Sequence, residues 1–170
     1  NAPPGVRAGC EGPLVDWGLS IAPLCGALAL WLAYRVARRY ASDPVAACGV
    51  AVVGLCSPLW HYAALITSYS HVWAALGTSV ALWGYVRAVE REDSRARWFF
   101  CGLCVGFGAL MRIQGGAFLF LPGLWQLRSL LTHVRDRDRR AALSVVLDGL
   151  ATLAGFALVF SLQLAVYKLL

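Results

Sequence analysis

Twelve of the fifteen basic residues of this chain fall in three clusters that alternate with long apolar stretches. The clusters are Arg35, Arg38 and Arg39, then Arg87, Arg91, Arg95 and Arg97, then Arg128, Arg135, Arg137, Arg139 and Arg140. They occupy every second gap between apolar segments. Positive charge is retained on the cytoplasmic side of a bilayer, so this alternation describes a polytopic membrane chain whose orientation can be read directly. The other three basic residues are Arg7, Arg112 and Lys168. Arg112 stands out, because it lies on the side that otherwise avoids charge.

Composition agrees. Hydrophobic residues make up 59% of the chain and charged residues 14%, whereas a soluble domain carries about 25% charged residues. The net charge of +6 sits in short gaps, where it suits anionic lipid headgroups, and nucleic acid is not an expected partner. The chain opens Asn1-Ala2-Pro3-Pro4, contains a single methionine, Met111, and ends on Leu170 at the edge of an apolar stretch. It reads as a piece of a longer protein. Of the six cysteines, Cys10, Cys25, Cys48, Cys56, Cys101 and Cys104, five fall in apolar segments, where cysteine acts as a small hydrophobe. Cys101-Gly102-Leu103-Cys104 has redox spacing but an apolar helical context. His61 and His71 have no evident third ligand. No metal and no cofactor is expected.

The fold class expected is all-α, a transmembrane helix bundle of about six spans with residues 1–13 on the outer face. The spans cover about 14–34, 45–60, 70–86, 98–111, 115–131 and 142–167, forming one membrane domain over 14–170. Asp43-Pro44 suits a helix start. Trp17, Trp60, Tyr62, Tyr69 and Tyr167 mark outer ends, and Tyr34, Tyr40, Trp83, Tyr85, Trp98 and Trp125 lie toward inner ends, as interfacial aromatics do. Gly102-x-x-x-Gly106 and Ala151-x-x-x-Gly155 are small-residue pairs that allow close helix contact.

Span lengths point to a site. Crossing about 30 Å of hydrocarbon takes roughly 20 residues. The fourth span has about 14 before Arg112, roughly 21 Å. Charges pin the inner ends, so the shortfall falls at the outer ends, where irregular backbone must be buried or line a cavity. The expectation is an outward-facing cavity with His61, Tyr62, Thr67, Ser68, Tyr69, Ser70, His71, Arg112 and Gln114; the alternative is that the helices continue through these residues. Intramembrane ionisable groups are functional candidates by default. The guanidinium of Arg112 can grip a phosphate through two parallel hydrogen bonds, and Gly115-Gly116 would open the fifth helix with bare amides that favour an anion. Against that cradle stands a plain reading in which Arg112 snorkels to the outer headgroups. Asp148, inside the sixth span, is read as a partner for Arg139 or Arg140, and the run from Arg135 to Arg140 as a solvated loop or helix start. No complete catalytic set appears.

Four segments carry a family resemblance. Tyr69-Ser70-His71-Val72-Trp73-Ala74-Ala75-Leu76 resembles an "S-H-A-x-S-F" entry after an outer hairpin. Gly106-x-Gly108-Ala109-Leu110-Met111-Arg112-Ile113-Gln114 resembles "G-L-A-x-L-V-R-x-Q". Leu119-Phe120-Leu121-Pro122 matches the apolar run and proline that follow. Ser161-Leu162-Gln163-Leu164-Ala165-Val166-Tyr167-Lys168 is similar to "L-P-Q-L-x-x-W-K", with Leu162 in place of the proline. Together, over about residues 14–170, they resemble bacterial GT-C membrane glycosyltransferases of the family 39-like, dolichyl-phosphate-mannose-protein mannosyltransferase type.

The resemblance implies a multi-pass protein of the bacterial inner membrane. It would move a sugar from a polyprenyl-phosphate-linked donor to an acceptor on the outer face. Arg112 and Gln114 would face the lipid phosphate or sugar. His71 and Tyr69 would line the same cavity, and Gln163 and Lys168 would sit near its mouth. It also implies that the catalytic aspartate belongs to an outer loop ahead of Asn1, so that no catalytic residue is expected in this fragment. Sugar and acceptor stay open. Two other classes would use the same arginine without a catalytic acid: a transporter or flippase subunit for a lipid-linked anion, and a non-catalytic scaffold of the cell envelope.

Overall fold

A computed structural model of the chain describes residues 13–57, 71–90 and 94–169. The described residues are helical throughout, without strands. They form α1 (Pro13–Ala37), α2 (Asp43–Cys56), α3 (His71–Val89), α4 (Arg95–Met111), a 3-10 segment (Ile113–Leu119), α5 (Phe120–Arg135) and α6 (Arg139–Leu169). The expected outer-face segment and most of the loop between the second and third spans lie outside the described residues.

Helix boundaries follow local chemistry. α2 follows Ser42, whose backbone is extended, and has Pro44 in its first turn where a missing N–H is harmless. Between α5 and α6 the chain reverses in a few residues. The amide of Asp138 donates to the carbonyl of His133 (2.9 Å) and that of Arg137 to Val134 (3.2 Å), which closes α5 with Arg137 in the left-handed conformation at φ 59°. Asp138 then caps α6, its Oδ1 accepting the amides of Arg140 and Ala141 at 3.1 Å each. The charged run is thus a helix stop, a turn and a helix start.

The fifth span differs from expectation. The chain makes a 3-10 hook over Ile113–Leu119 and the α-helix begins only at Phe120. Gly115 is pressed against the backbone of Gly108, so the chain folds back over the end of α4 before it can run straight.

Close contacts set the directions of the helices. Gly77 of α3 lies against Gly108 and Met111 of α4, and Gly84 against Cys104, so α3 and α4 are antiparallel. Gly102 meets Thr152 and Phe156, Gly106 meets Phe156 and Val159, and Gly155 meets Phe99 and Leu103, so α4 and α6 are parallel. These are the two small-residue motifs, packed on each other. Gln126 faces Gly149 and bonds Thr152, which makes α5 and α6 an antiparallel hairpin. Leu30 fills the space beside Gly54, pairing α1 with α2. One apolar cluster joins Cys25, Ala29 and Leu32 of α1 to Val72 and Leu76 of α3, and a second joins Ala81 and Ala88 of α3 to Trp98, Cys101 and Val105 of α4.

All three basic segments consequently meet at one end. Arg39, beyond α1, pairs with Glu90, beyond α3, at 2.8 Å. Arg38 pairs with Asp43, and Arg97 Nη1 donates to the carbonyl of Arg87 at 3.3 Å. Three arginines at this end lie over the ring four residues earlier: Arg35 over Trp31, Arg38 over Tyr34 and Arg87 over Trp83, at 5.3–5.6 Å. Trp98 departs from its expected interfacial place. It is fully buried, 5.2 Å from Trp125, because α5 covers it.

The outside of the bundle is apolar. Leu24, Leu28, Val52, Val53, Leu55, Leu127, Leu131, Leu150, Leu153, Leu158 and Leu162 are all exposed. A water-soluble monomer does not carry such a continuous surface. Among the described residues, two helices are long and apolar enough to cross a membrane by themselves: His71–Val89, with a stretch of mean hydropathy 1.2, and Arg139–Ala165, with one of 2.0.

A methyl group on Gly102 would collide with the backbone carbonyl of Thr152, which cannot swing aside. Gly102→Ala is expected to cost about 3 kcal/mol, as overpacking against a fixed neighbour does. Gly49→Ala, in open space on α2, should be neutral or stabilising by up to about 1 kcal/mol. Unfolding in detergent micelles measures both, and equal responses would contradict the α4–α6 contact.

Candidate functional site

The end of α4 is built by one short chain of backbone bonds. Met111 closes the helix, and Arg112 leaves it extended, at φ −157° and ψ 127°. Its amide still donates to Gly108 at 3.1 Å, and its own carbonyl accepts the amide of Gly115 at 2.7 Å. This corrects the expected cradle. Gly115 does not open an α-helix with a bare amide, since its N–H is taken by Arg112 and its Cα is wedged on Gly108. The side chains of Arg112 and Gln114 are exposed on the hook, and among the described residues no acid pairs with Arg112.

The same end gathers other candidates. His71 starts α3, six residues ahead of Gly77, and Gly77 faces Gly108 and Met111, so His71 lies at the level of the hook. Contacts between α4 and α6 are offset by 50–56 residues, which sets Gln163 level with residues 107–113. Gln163 is half-buried, and Lys168 is exposed roughly 7 Å further along α6. Tyr69, with His61, Tyr62, Thr67, Ser68 and Ser70, lies outside the described residues. His71, Arg112, Gln114, Gln163 and Lys168 therefore share the end opposite the basic segments.

A second polar region, at the basic end, was not expected. A cavity of about 330 Å³ opens between α4, α5 and α6, with Trp98, Trp125, Ser129, His133, Ser144 and Asp148 among its walls. Asp148 is only 7% exposed. Arg139 and Arg140 lie on the same helix as Asp148, eight or nine residues earlier, roughly 12 Å along the axis. That is longer than the one-turn spacing at which neighbouring helix side chains usually pair. Deeper in the hairpin, Gln126 Nε2 donates to Thr152 Oγ1 at 3.1 Å, and Thr152 Oγ1 donates to the carbonyl of Asp148 at 3.0 Å. The signal was present as two polar stripes of helical period, Gln126, Ser129 and His133 on α5, and Ser144, Asp148 and Thr152 on α6.

Comparison with known families settles the class of protein to which these sites belong. A family model described as dolichyl-phosphate-mannose-protein mannosyltransferase matches residues 16–163. The chain belongs to this mannosyltransferase family. Membership implies a membrane glycosyltransferase of the GT-C type, a bilayer around it and, in general, a lipid-linked sugar donor. No curated protein and no solved structure matches the chain.

The Gln126–Thr152 bond makes a sharp prediction for this family member. Thr152→Val should cost about 1 kcal/mol, because the part-buried amide loses its acceptor. Adding Gln126→Leu should recover most of that loss. A double-mutant cycle of unfolding in detergent reads the coupling, and simple additivity would show that the bond is not formed.

Proposed function

We propose that this chain is the membrane core of a transferase that takes a sugar from a polyprenyl-phosphate donor on the outer face of the bacterial inner membrane. Family membership over residues 16–163 carries the reading. In it, all six helices traverse the bilayer, with the basic end in the cytoplasm and the hook outside. The alternating directions of α3 to α6 support that topology, as does the collection of the basic segments at one end. Positive charge retained inside accounts for Arg35, Arg38, Arg39, Arg87, Arg95 and Arg97 together.

Arg112 is the residue proposed to hold the donor. It is a fixed cation without an acidic partner among the described residues, at the end where other charge is scarce. Its planar fork suits a phosphate oxygen pair. As the glycosyl bond breaks, negative charge grows on the leaving lipid phosphate, and a guanidinium already in place stabilises it without reorganisation. Gln114, one step along the hook, offers amide donors and an acceptor to the sugar. His71, Tyr69 and Gln163 are proposed as further walls of the same site, with Lys168 at its mouth. In this reading Arg112 and Gln114 bind and orient the donor.

Replacing Arg112 by alanine in the intact enzyme should weaken binding of a polyprenyl-phosphate sugar about tenfold or more, the usual worth of a charged hydrogen bond. Lysine should restore only part, since it lacks the fork. Titration of donor analogue into the detergent-solubilised enzyme reads both, and unchanged affinity in the alanine variant would remove Arg112 from the site.

Orientation is tested separately. With the native cysteines replaced, Gln114→Cys should react with a membrane-impermeant maleimide on intact spheroplasts. Ser94→Cys, between α3 and α4, should react only after permeabilisation. The reverse pattern would invert the topology.

A further inference from the structure

The turn between α5 and α6 holds its arginines against local preference. Arg137 occupies the left-handed conformation at φ 59°, which suits glycine and strains an ordinary side chain. Arg139 and Arg140 begin α6 directly after its Asp138 cap, so two cations sit at the positive end of the helix dipole beside a single acid. Retention of charge in the cytoplasm does not explain this, because a glycine at 137 and arginines a few residues away would serve equally. Local conflicts that persist in a fold commonly mark a function.

The turn borders a continuous polar groove. His133 lines three adjoining cavities. The outermost, about 410 Å³, also has Arg137, Asp138 and Arg139 in its walls. The next has Arg128, Ser129 and Thr132. The innermost has Ser129, Ser144 and, on its walls, Trp98 and Trp125. Two acids line the groove: the Asp138 carboxylate holds the amides of Arg140 and Ala141, and Asp148, 7% exposed, is in the wall of the innermost cavity. Outside these cavities, Leu127 and Leu131 are exposed on α5 and Leu143 and Val146 on α6. Cations thus stand at the mouth, and hydroxyls about a turn further in.

We propose that this groove binds the headgroup of an anionic phospholipid of the cytoplasmic leaflet. Its phosphate would rest on Arg137 and Arg139 with His133. Ser129 and Ser144 would donate to the glycerol ester oxygens, and the acyl chains would run down the exposed leucines. Cations with hydroxyls behind them suit a phosphate and its neighbouring oxygens, and basic pockets between membrane helices at this face suit anionic headgroups. The inference rests on the membrane reading above but not on the transfer reaction or on Arg112.

The test uses the full chain in neutral detergent, with no sugar donor. Dioleoyl-phosphatidylglycerol near a hundredfold above its Kd should raise Tm by about 5 °C or more, and phosphatidylcholine by less than about 1 °C. Arg137→Gly with Arg139→Gln should at least halve the rise, while the lipid-free Tm stays the same or increases, since both changes relieve local conflict. Arg128→Gln, on an exposed helix surface, gives a second variant that leaves the turn untouched and should also reduce the rise. Arg112→Ala should retain it in full, which separates this site from the donor site. The proposal is overturned if the groove variants keep the full rise, if phosphatidylcholine matches phosphatidylglycerol, or if inorganic phosphate alone reproduces the effect.

Discussion

The close approach of α4 and α6 is the contact on which the rest of the bundle depends. In a bilayer, lipid tails are as apolar as leucine, so helices are not driven together by escape from water. They associate where backbones can come close enough for dense packing. Gly102 and Gly106 on one helix, and Gly155 on the other, remove the side chains that would hold the axes apart. The two helices run parallel, so the chain must return between them. That return is α5, which enters through the 3-10 hook and leaves through the Arg137–Asp138 turn. The hook that presents Arg112 and the turn that gathers the basic groove are both consequences of one parallel pair.

The two ends of the bundle carry cations on different terms. At the basic end, Arg38, Arg39 and Arg87 have acids within reach, and Arg35, Arg38 and Arg87 also lie over aromatic rings. These arginines anchor helix ends at an interface, where a charged head and an aromatic body are both at home. Arg112 has neither an acid nor a ring partner among the described residues. Arg112 thus differs from the arginines of the basic end in its surroundings, and the proposed role as a ligand-binding arginine rests on that difference.

Helix ends that rest on charge were legible from residue order. The charged clusters bracket α1, α3 and α4, and Arg112 marks the end of α4. Packing of the two small-residue motifs was legible as well, because their spacing repeats on one helix face. The start of α5 was not. Two glycines read equally as a helix start or a close backbone contact, and only the position of Gly108 decides between them. Trp98 illustrates the same limit: an aromatic near a basic cluster suits the interface, until α5 arrives to cover it. The polar groove was hidden for a related reason. His133, Ser129 and Asp148 are isolated in an apolar sequence, and they meet only when α5 and α6 close into a hairpin. Local chemistry sets where helices stop, whereas which faces meet is decided by contacts between distant residues.

Helix lengths bring these strands together at Arg112. The 17 residues of α4 rise roughly 25 Å, short of a hydrocarbon core of about 30 Å. Its neighbour α6, level with it at Gln163, continues for six more residues, roughly 9 Å. The hook thus lies below the level reached by α6, with Lys168 near that upper limit. Irregular backbone at such depth must be enclosed by protein or border a water-filled cavity. The hook meets the first condition on one side, where Gly115 is seated on Gly108 and its amide is satisfied by Arg112. Its other side carries the exposed Arg112 and Gln114. In the proposed reading, the exposed cation held there is within reach of a lipid phosphate. A shortened helix beside a longer parallel one is sufficient to create that position.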